Sequence, residues 1–157
     1  MAPWLKKEGW LRIVSSQATF KALLVKSRSR LVALPMASVV ETMRPLPITP
    51  LPGMAPYVRG LSVIRGGPVP ILDLGLWLDG EESQATRVVT FRVADRMAGL
   101  LVDEVLGVED LEAEALHALP FDGEAAIDAV GAVEAQILVV LQAARAVPEA
   151  VWEALPR

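Results

Sequence analysis

Cysteine is absent from the chain, and histidine occurs once, at position 117. The first absence excludes a disulfide framework, a thiolate metal site and a thiol nucleophile, and it permits a reducing compartment. His117, in the stretch Glu112 to Pro120, has neither a second imidazole nor a calcium-type loop beside it, so it reads as a surface histidine rather than a metal ligand. Long apolar runs are also missing. The longest, such as Ile137 to Leu141, fall far short of the roughly 20 residues a membrane helix requires. Basic charge is scarce: 15 Lys and Arg stand against 19 Asp and Glu, for a net charge of -4. Such a surface does not attract phosphate backbones, whose binding depends on clustered Lys and Arg.

Catalytic patterns are equally sparse. There is no Gly-x-Ser-x-Gly elbow and no phosphate-cradling glycine loop followed by Lys. Asp103, Glu104, Glu109, Asp110, Glu112 and Glu114 are close in sequence, but they alternate with Leu and Val as a solvated or partner-facing edge does. The expectation is a protein without cofactor, metal or catalytic site. Residues 1–17 carry Lys6, Lys7 and Arg12 among Trp4, Leu5, Trp10 and Leu11. They lack the unbroken apolar segment of a secretory signal, so a cytoplasmic address is expected. This N-terminal extension reads as a docked or frayed end, with a membrane-surface helix as the alternative.

What is present is a core. Apolar residues make up 53% of the 157 positions, enough for one compact domain. Short segments rich in Val, Ile and Leu recur between Gly, Pro, Asp or Arg, which is the rhythm of a mainly all-β barrel or sandwich. Phe20 to Lys26 and Leu31 to Leu34 form an opening hairpin around Ser27 to Arg30. Met36 to Met43 predicts a helical turn or an edge strand. Arg44 to Pro56 holds five of the twelve prolines, none of which can donate a backbone hydrogen bond, so it runs as an extended surface loop.

A second hairpin follows, with Tyr57 to Ile64 and Pro68 to Leu72 joined by Arg65, Gly66 and Gly67. Leu74 to Leu78 reads as one helical turn ending at Asp79 and Gly80, and Glu81 to Thr86 as loop. Arg87 to Val93 and Gly99 to Val105 make a third hairpin, and Ile127 to Val133 with Ile137 to Leu141 a fourth. Pro148 to Leu155 closes as a helix with Val151, Trp152 and Leu155 on one face.

The run Pro56-Tyr57-Val58-Arg59-Gly60-Leu61-Ser62-Val63-Ile64-Arg65-Gly66-Gly67-Pro68-Val69-Pro70-Ile71-Leu72-Asp73-Leu74 resembles the CheW family. There, an apolar strand with a central glycine enters an Arg-Gly turn and a Pro-bearing strand leads into Asp-Leu. Val39-Val40-Glu41 upstream, the proline-rich loop, and Gly99 to Val105 downstream agree in order and distance. The resemblance spans about residues 18–146, leaving 147–157 as a C-terminal helix packed on the domain. It implies two intertwined SH3-like five-stranded β-barrels without catalysis. The implied partners are a chemoreceptor cytoplasmic tip and the regulatory domain of a CheA-type histidine kinase, with no nucleic acid and no membrane insertion.

By the same resemblance, Glu41 and Arg65 match a charged pair at or near the receptor-binding surface, and Val39, Val63, Ile64 and Val105 lie close to contact surfaces, as do Val40 and Val108. Gly60 and Gly66 sit where the backbone must turn or approach closely. Asp73 is placed to cap the turn that follows it. The family usually has Asn where Val63 stands, so one turn hydrogen bond is missing or replaced and a shifted partner preference is expected. The short loop Glu81 to Thr86 and a final hairpin without glycine at its tip point to a divergent chemosensory system with an output other than swimming. Two alternatives compete with the adaptor reading: a stand-alone interaction module of another signalling pathway, and a small ligand-binding barrel.

Overall fold

The computed structural model describes residues 19–112, 117–118, 127–133 and 136–155. The expectations for the N-terminal extension, for Glu114 and for the side chain of His117 lie outside the described residues. The strands are β1 (Thr19–Ser27), β2 (Arg30–Pro35), β3 (Val39–Met43), β4 (Val58–Ile64), β5 (Gly67–Asp73), β6 (Arg87–Val93), β7 (Arg96–Val102) and β8 (Glu104–Glu112). The two-residue β9 (His117–Ala118), then β10 (Ile127–Val133) and β11 (Gln136–Leu141), complete the set. Helix α1 (Leu74–Asp79) follows β5; a 3₁₀ turn (Ala143–Ala146) and helix α2 (Glu149–Ala154) follow β11.

One sheet has the order β3-β6-β7-β5-β4 and the other β8-β1-β2-β11-β10-β9. The pairing repeats. In each sheet a two-strand hairpin (β4–β5 or β10–β11) joins a second hairpin through a parallel contact, β5 with β7 or β11 with β2. The last strand, β3 or β8, then lies antiparallel to β6 or β1 and carries one extra residue, Val40 or Leu106, as a β-bulge. The chain is thus two copies of one five-strand pattern that exchange hairpins: β1 and β2 complete the sheet of the second copy, and β6 and β7 that of the first. This is why the two units are intertwined.

Burial follows from alternation on the strands. Ile64, Val69, Ile71, Val88 and Leu101 fill the interior of the five-stranded barrel. A larger cluster draws on both sheets, with Leu23, Val25, Val32 and Leu34 against Leu72, Val89, Phe91, Leu100 and Val102, and it takes in Ala146 and Val151 from the C-terminal segment. The expected helix is present with Val151 buried inward, while Trp152 and Leu155 are half-buried.

One expectation needs correction. The strand from Gly99 was expected to run to Val105, but β7 ends at Val102 and β8 begins at Glu104. Apolar residues resume at Val105 beyond Asp103 and Glu104, so the sequence reads as one strand where the chain leaves one sheet for the other. The acidic stretch that follows is itself a nine-residue edge strand, whose acids occupy exposed positions. Of the two readings of Met36 to Met43, the edge strand holds for Val39–Met43, after a turn at 36–38.

The proline-rich loop is extended and touches β4 by one bridge, Thr49 with Leu61, closed by two 2.8 Å backbone hydrogen bonds. Gly60 makes that approach feasible: its φ is +140°, and a Cβ there would lie 2.0 Å from the Thr49 carbonyl oxygen. Gly60→Ala is expected to cost at least about 2 kcal/mol, combining strain with overlap against backbone, as a shift in the urea midpoint. Nearby, the Tyr57 hydroxyl donates to the Ala146 carbonyl at 2.9 Å, and burial pushes its phenol above the ordinary 10.0. The unfolded phenol therefore loses its proton first, and stability falls as pH rises through and beyond 10.0. Tyr57→Phe should remove that part of the alkaline decline and cost about 1 kcal/mol at neutral pH, both measurable by denaturation across pH.

Candidate functional site

The β4–β5 tip is a two-residue loop, Arg65 and Gly66, with φ of 52° and 81°. Both central residues are left-handed, as a type I′ hairpin requires. A Cβ on Gly66 would meet nothing within 4 Å, so its role lies in the backbone angle alone. The tight turn holds Arg65 at the end of the barrel, and the chain reaches the same end at the start of β3.

There Arg65 meets Glu41. Its Nε and Nη2 both donate to Glu41 Oε2, at 2.9 and 2.6 Å. β3 and β4 are the two edges of the five-stranded sheet, so this pair ties the barrel's edges together. The Arg65 side chain is 70% exposed and that of Glu41 29%. Glu41 Oε1 and Arg65 Nη1 are uncommitted among the described residues. An exposed fork with spare acceptor and donor capacity can receive a polar group from another protein.

Glu41 is positioned by the bulge before it. The extra residue Val40 is left off the ladder, Glu41 pairs with Thr90 just beyond it, and the buried Thr90 hydroxyl binds the Glu41 backbone. It accepts from the Glu41 amide and donates to the Glu41 carbonyl, both at 3.2 Å. Thr90 was not singled out from sequence, because a threonine in a β-branched strand carries no signal of its own. Its only mark is to be the polar member of an otherwise apolar stretch.

The other expected positions divide. Val39 is half-buried against the shared core, and so is Val105 on β8. The repeat makes them equivalent: Val39 pairs with Phe91 and Val105 with Val25, each just before its bulge. The bulged Val40 and Leu106, together with Val108, are exposed large apolar residues. Val63 stands 69% exposed opposite the exposed Pro68, two residues from Arg65. Ile64 is different. At 5% exposure it fills the barrel core, so its place is in packing and not at a contact surface; alternation along β4 dictates that neighbours of an exposed Val63 face inward.

Asp73 caps α1 as expected. It is 1% exposed, accepts from the Leu76 amide at 3.1 Å and the Ser83 amide at 3.2 Å, and lies 3.8 Å from Arg59 Nη1. Asp103, read as part of a solvated or partner-facing edge, is half-buried and accepts from the amides of Arg28 and Gln84, each at 2.6 Å. Among the described residues no group of three or more His, Cys, Asp or Glu comes together as a metal site, and no helix is long and apolar enough to cross a membrane. Between the Arg65 tip, the β6–β7 tip and α2 lies an open depression of about 540 Å³.

Thr90→Val keeps the shape but leaves the Glu41 amide and carbonyl without this partner. It should cost about 1–3 kcal/mol by chemical denaturation, and NMR should show the Glu41 amide shifted. Asp73→Ala orphans two backbone amides, so a loss of about 2–4 kcal/mol is expected in the same assay.

Comparison with known proteins agrees with this geometry. Residues 21–150 match the CheW-like domain family. Protein PilI of Pseudomonas aeruginosa is 37% identical over 83 residues, covering 51% of this chain and 47% of that protein. Protein FrzA of Myxococcus xanthus is 30% identical over 100 residues, 62% of each chain. Chemotaxis protein CheW of Thermotoga maritima is 35% identical over 63 residues, 39% of this chain and 42% of that protein. The aligned part thus spans about half the length of these curated relatives. In structure, the scaffolding protein TtCheW from Thermoanaerobacter tengcongensis superposes with a TM-score of 0.68 at 20% identity, over 78% of this chain and 88% of that one. The shared fold is the pair of SH3-like barrels, and with the family matched over most of its residues, the chain belongs to the CheW-like domain family.

Proposed function

We propose that this protein is a non-catalytic adaptor that couples chemoreceptors to a CheA-type histidine kinase. The observation that carries the reading is the exposed Arg65–Glu41 fork at the barrel end, held by a type I′ tip on one side and a hydroxyl-locked bulge on the other. Beside it, Val63, Pro68 and Val40 present apolar surface that a partner can cover. A charged fork bordered by rigid apolar residues is a docking arrangement. Val39, Glu41, Val63 and Arg65 on one barrel and Val105 on the other are the proposed contact residues. The cytoplasm is the proposed location.

The regulated output is a second matter. Of the three relatives above, one is named for chemotaxis and two, PilI and FrzA, are not. Together with the short loop from Glu81 to Thr86, this favours a chemosensory system with an output other than swimming.

Titration calorimetry with the kinase regulatory domain and a receptor-tip peptide from the same organism tests the adaptor reading. Binding of both is expected; binding of neither sinks it. Arg65→Ala and Glu41→Ala should each weaken receptor binding about tenfold, equivalent to about 1.4 kcal/mol. An exposed pair contributes little to folding, so each variant should stay within about 1 kcal/mol of the parent in stability. A large loss of stability would instead assign the pair to barrel closure.

A further inference from the structure

The exchanged repeats place Arg30 and Arg96 at equivalent positions. Each opens the strand after a two-residue hairpin tip whose first residue is left-handed: Arg28 at φ 57° before Arg30, Ala94 at φ 55° before Arg96. Each also reaches a short helix that continues from a strand of the other sheet. Arg30 Nε lies 2.5 Å from Asp79 Oδ1, at the end of α1, which continues from β5. The Arg96 guanidinium sits 5.2 Å from the Trp152 ring centroid, and its Nη1 donates to the Trp152 carbonyl at 3.3 Å, on α2, which follows β11.

We infer that Arg30 and Arg96 are a matched pair of clasps that fix the angle between the two barrels, and so are positioning residues for partner docking. The docking half of this inference rests on the adaptor reading, in which Val39, Glu41 and Arg65 on one barrel and Val105 on the other meet a partner together. Neither arginine belongs to that contact set. Both act on the geometry between its two halves, because each spans from one sheet to a helix covalently continuous with the other.

The clasps differ in chemistry. Arg30–Asp79 is a partly exposed ion pair, at 46% and 22% side-chain exposure, and Arg28 doubles it by meeting Glu81 Oε2 at 2.6 Å. Salt screens such pairs. Arg96 holds an aromatic face and a carbonyl, with no carboxylate in the contact, and Ala94 adds no second arm. An aromatic face and a neutral carbonyl respond less to ionic strength than a carboxylate does. One clasp is salt-sensitive and the other is not.

The absence of native cysteine allows spin labels at Thr42→Cys and Glu109→Cys, exposed positions on β3 and β8. Pulsed EPR should give a narrow distance distribution at about 0.01 M salt that broadens at about 1 M. Arg30→Ala should show the broad distribution already at low salt, and Arg96→Ala should broaden it at both. The exchange Arg30→Asp with Asp79→Arg should restore the narrow one. In the unlabelled protein, Arg30→Ala with Arg96→Ala should weaken kinase-domain binding about fivefold with unchanged circular dichroism.

An unbroadened distribution in the folded double variant overturns the clasps. Broadening with unchanged affinity for a partner the parent binds overturns the positioning role. A parent that binds neither partner removes the adaptor reading and with it the docking half, while the label distances still decide the clasps. Should the double variant fail to fold, the single variants and the salt series on the parent decide the clasps.

Discussion

The exchange of hairpins between the two repeats constrains everything else in this molecule. β1 and β2 complete one sheet, β6 and β7 the other, and each hairpin pairs on both sides with strands of the opposite repeat. Neither barrel can form its full ladder from contiguous chain. The cluster that joins them, from Leu23 and Val25 to Phe91 and Leu100, is therefore a core in its own right. The stability of both barrels rests on that shared burial.

That arrangement explains how a charged pair can sit at the surface without drifting. Arg65 and Glu41 lie far out on side chains that solvent would otherwise disperse, and an isolated pair of this kind is worth little. Here the backbone under each is fixed first: a two-residue tip with left-handed angles under Arg65, and a bulge just before Glu41, whose amide and carbonyl are bound by the Thr90 hydroxyl. The ion pair reports the geometry more than it creates it. The bulge recurs on β8, where Leu106 replaces Val40 and Gly107, at φ 132°, replaces the carboxylate-bearing residue. Equivalent ridges thus carry different chemistry on the two barrels.

Much of this was legible in the residues. The hairpin from Tyr57 to Leu72, its Arg-Gly tip, the cap at Asp73 and the extended proline loop all follow from local rules about turns, donors and side-chain clash, and the structure places them where those rules put them. Local rules failed where the determinant was remote. Asp103 ends one strand and begins another because the chain changes sheets there, and nothing in the flanking Val102 and Glu104 announces it. The family resemblance puts Ile64 beside Val63 near a contact surface, although a period of two sends it to the interior. The acids of Glu104 to Glu112, which read as a solvated or partner-facing edge, do occupy exposed positions, on an edge strand. Thr90 could be recognised only once the bulge on the facing strand was known.

The extended segment that crosses β4 bears on how the protein tolerates its own company. An outermost strand normally offers a row of bare amides and carbonyls on which a stray chain can crystallise into a ladder. Here the segment from Arg44 to Pro56 lies along that flank, with five residues that have no hydrogen to give and one pairing point at Thr49. A passing strand finds the flank partly occupied, by a cover whose prolines have no donor to offer. Strand-on-strand growth along this border is disfavoured to that extent.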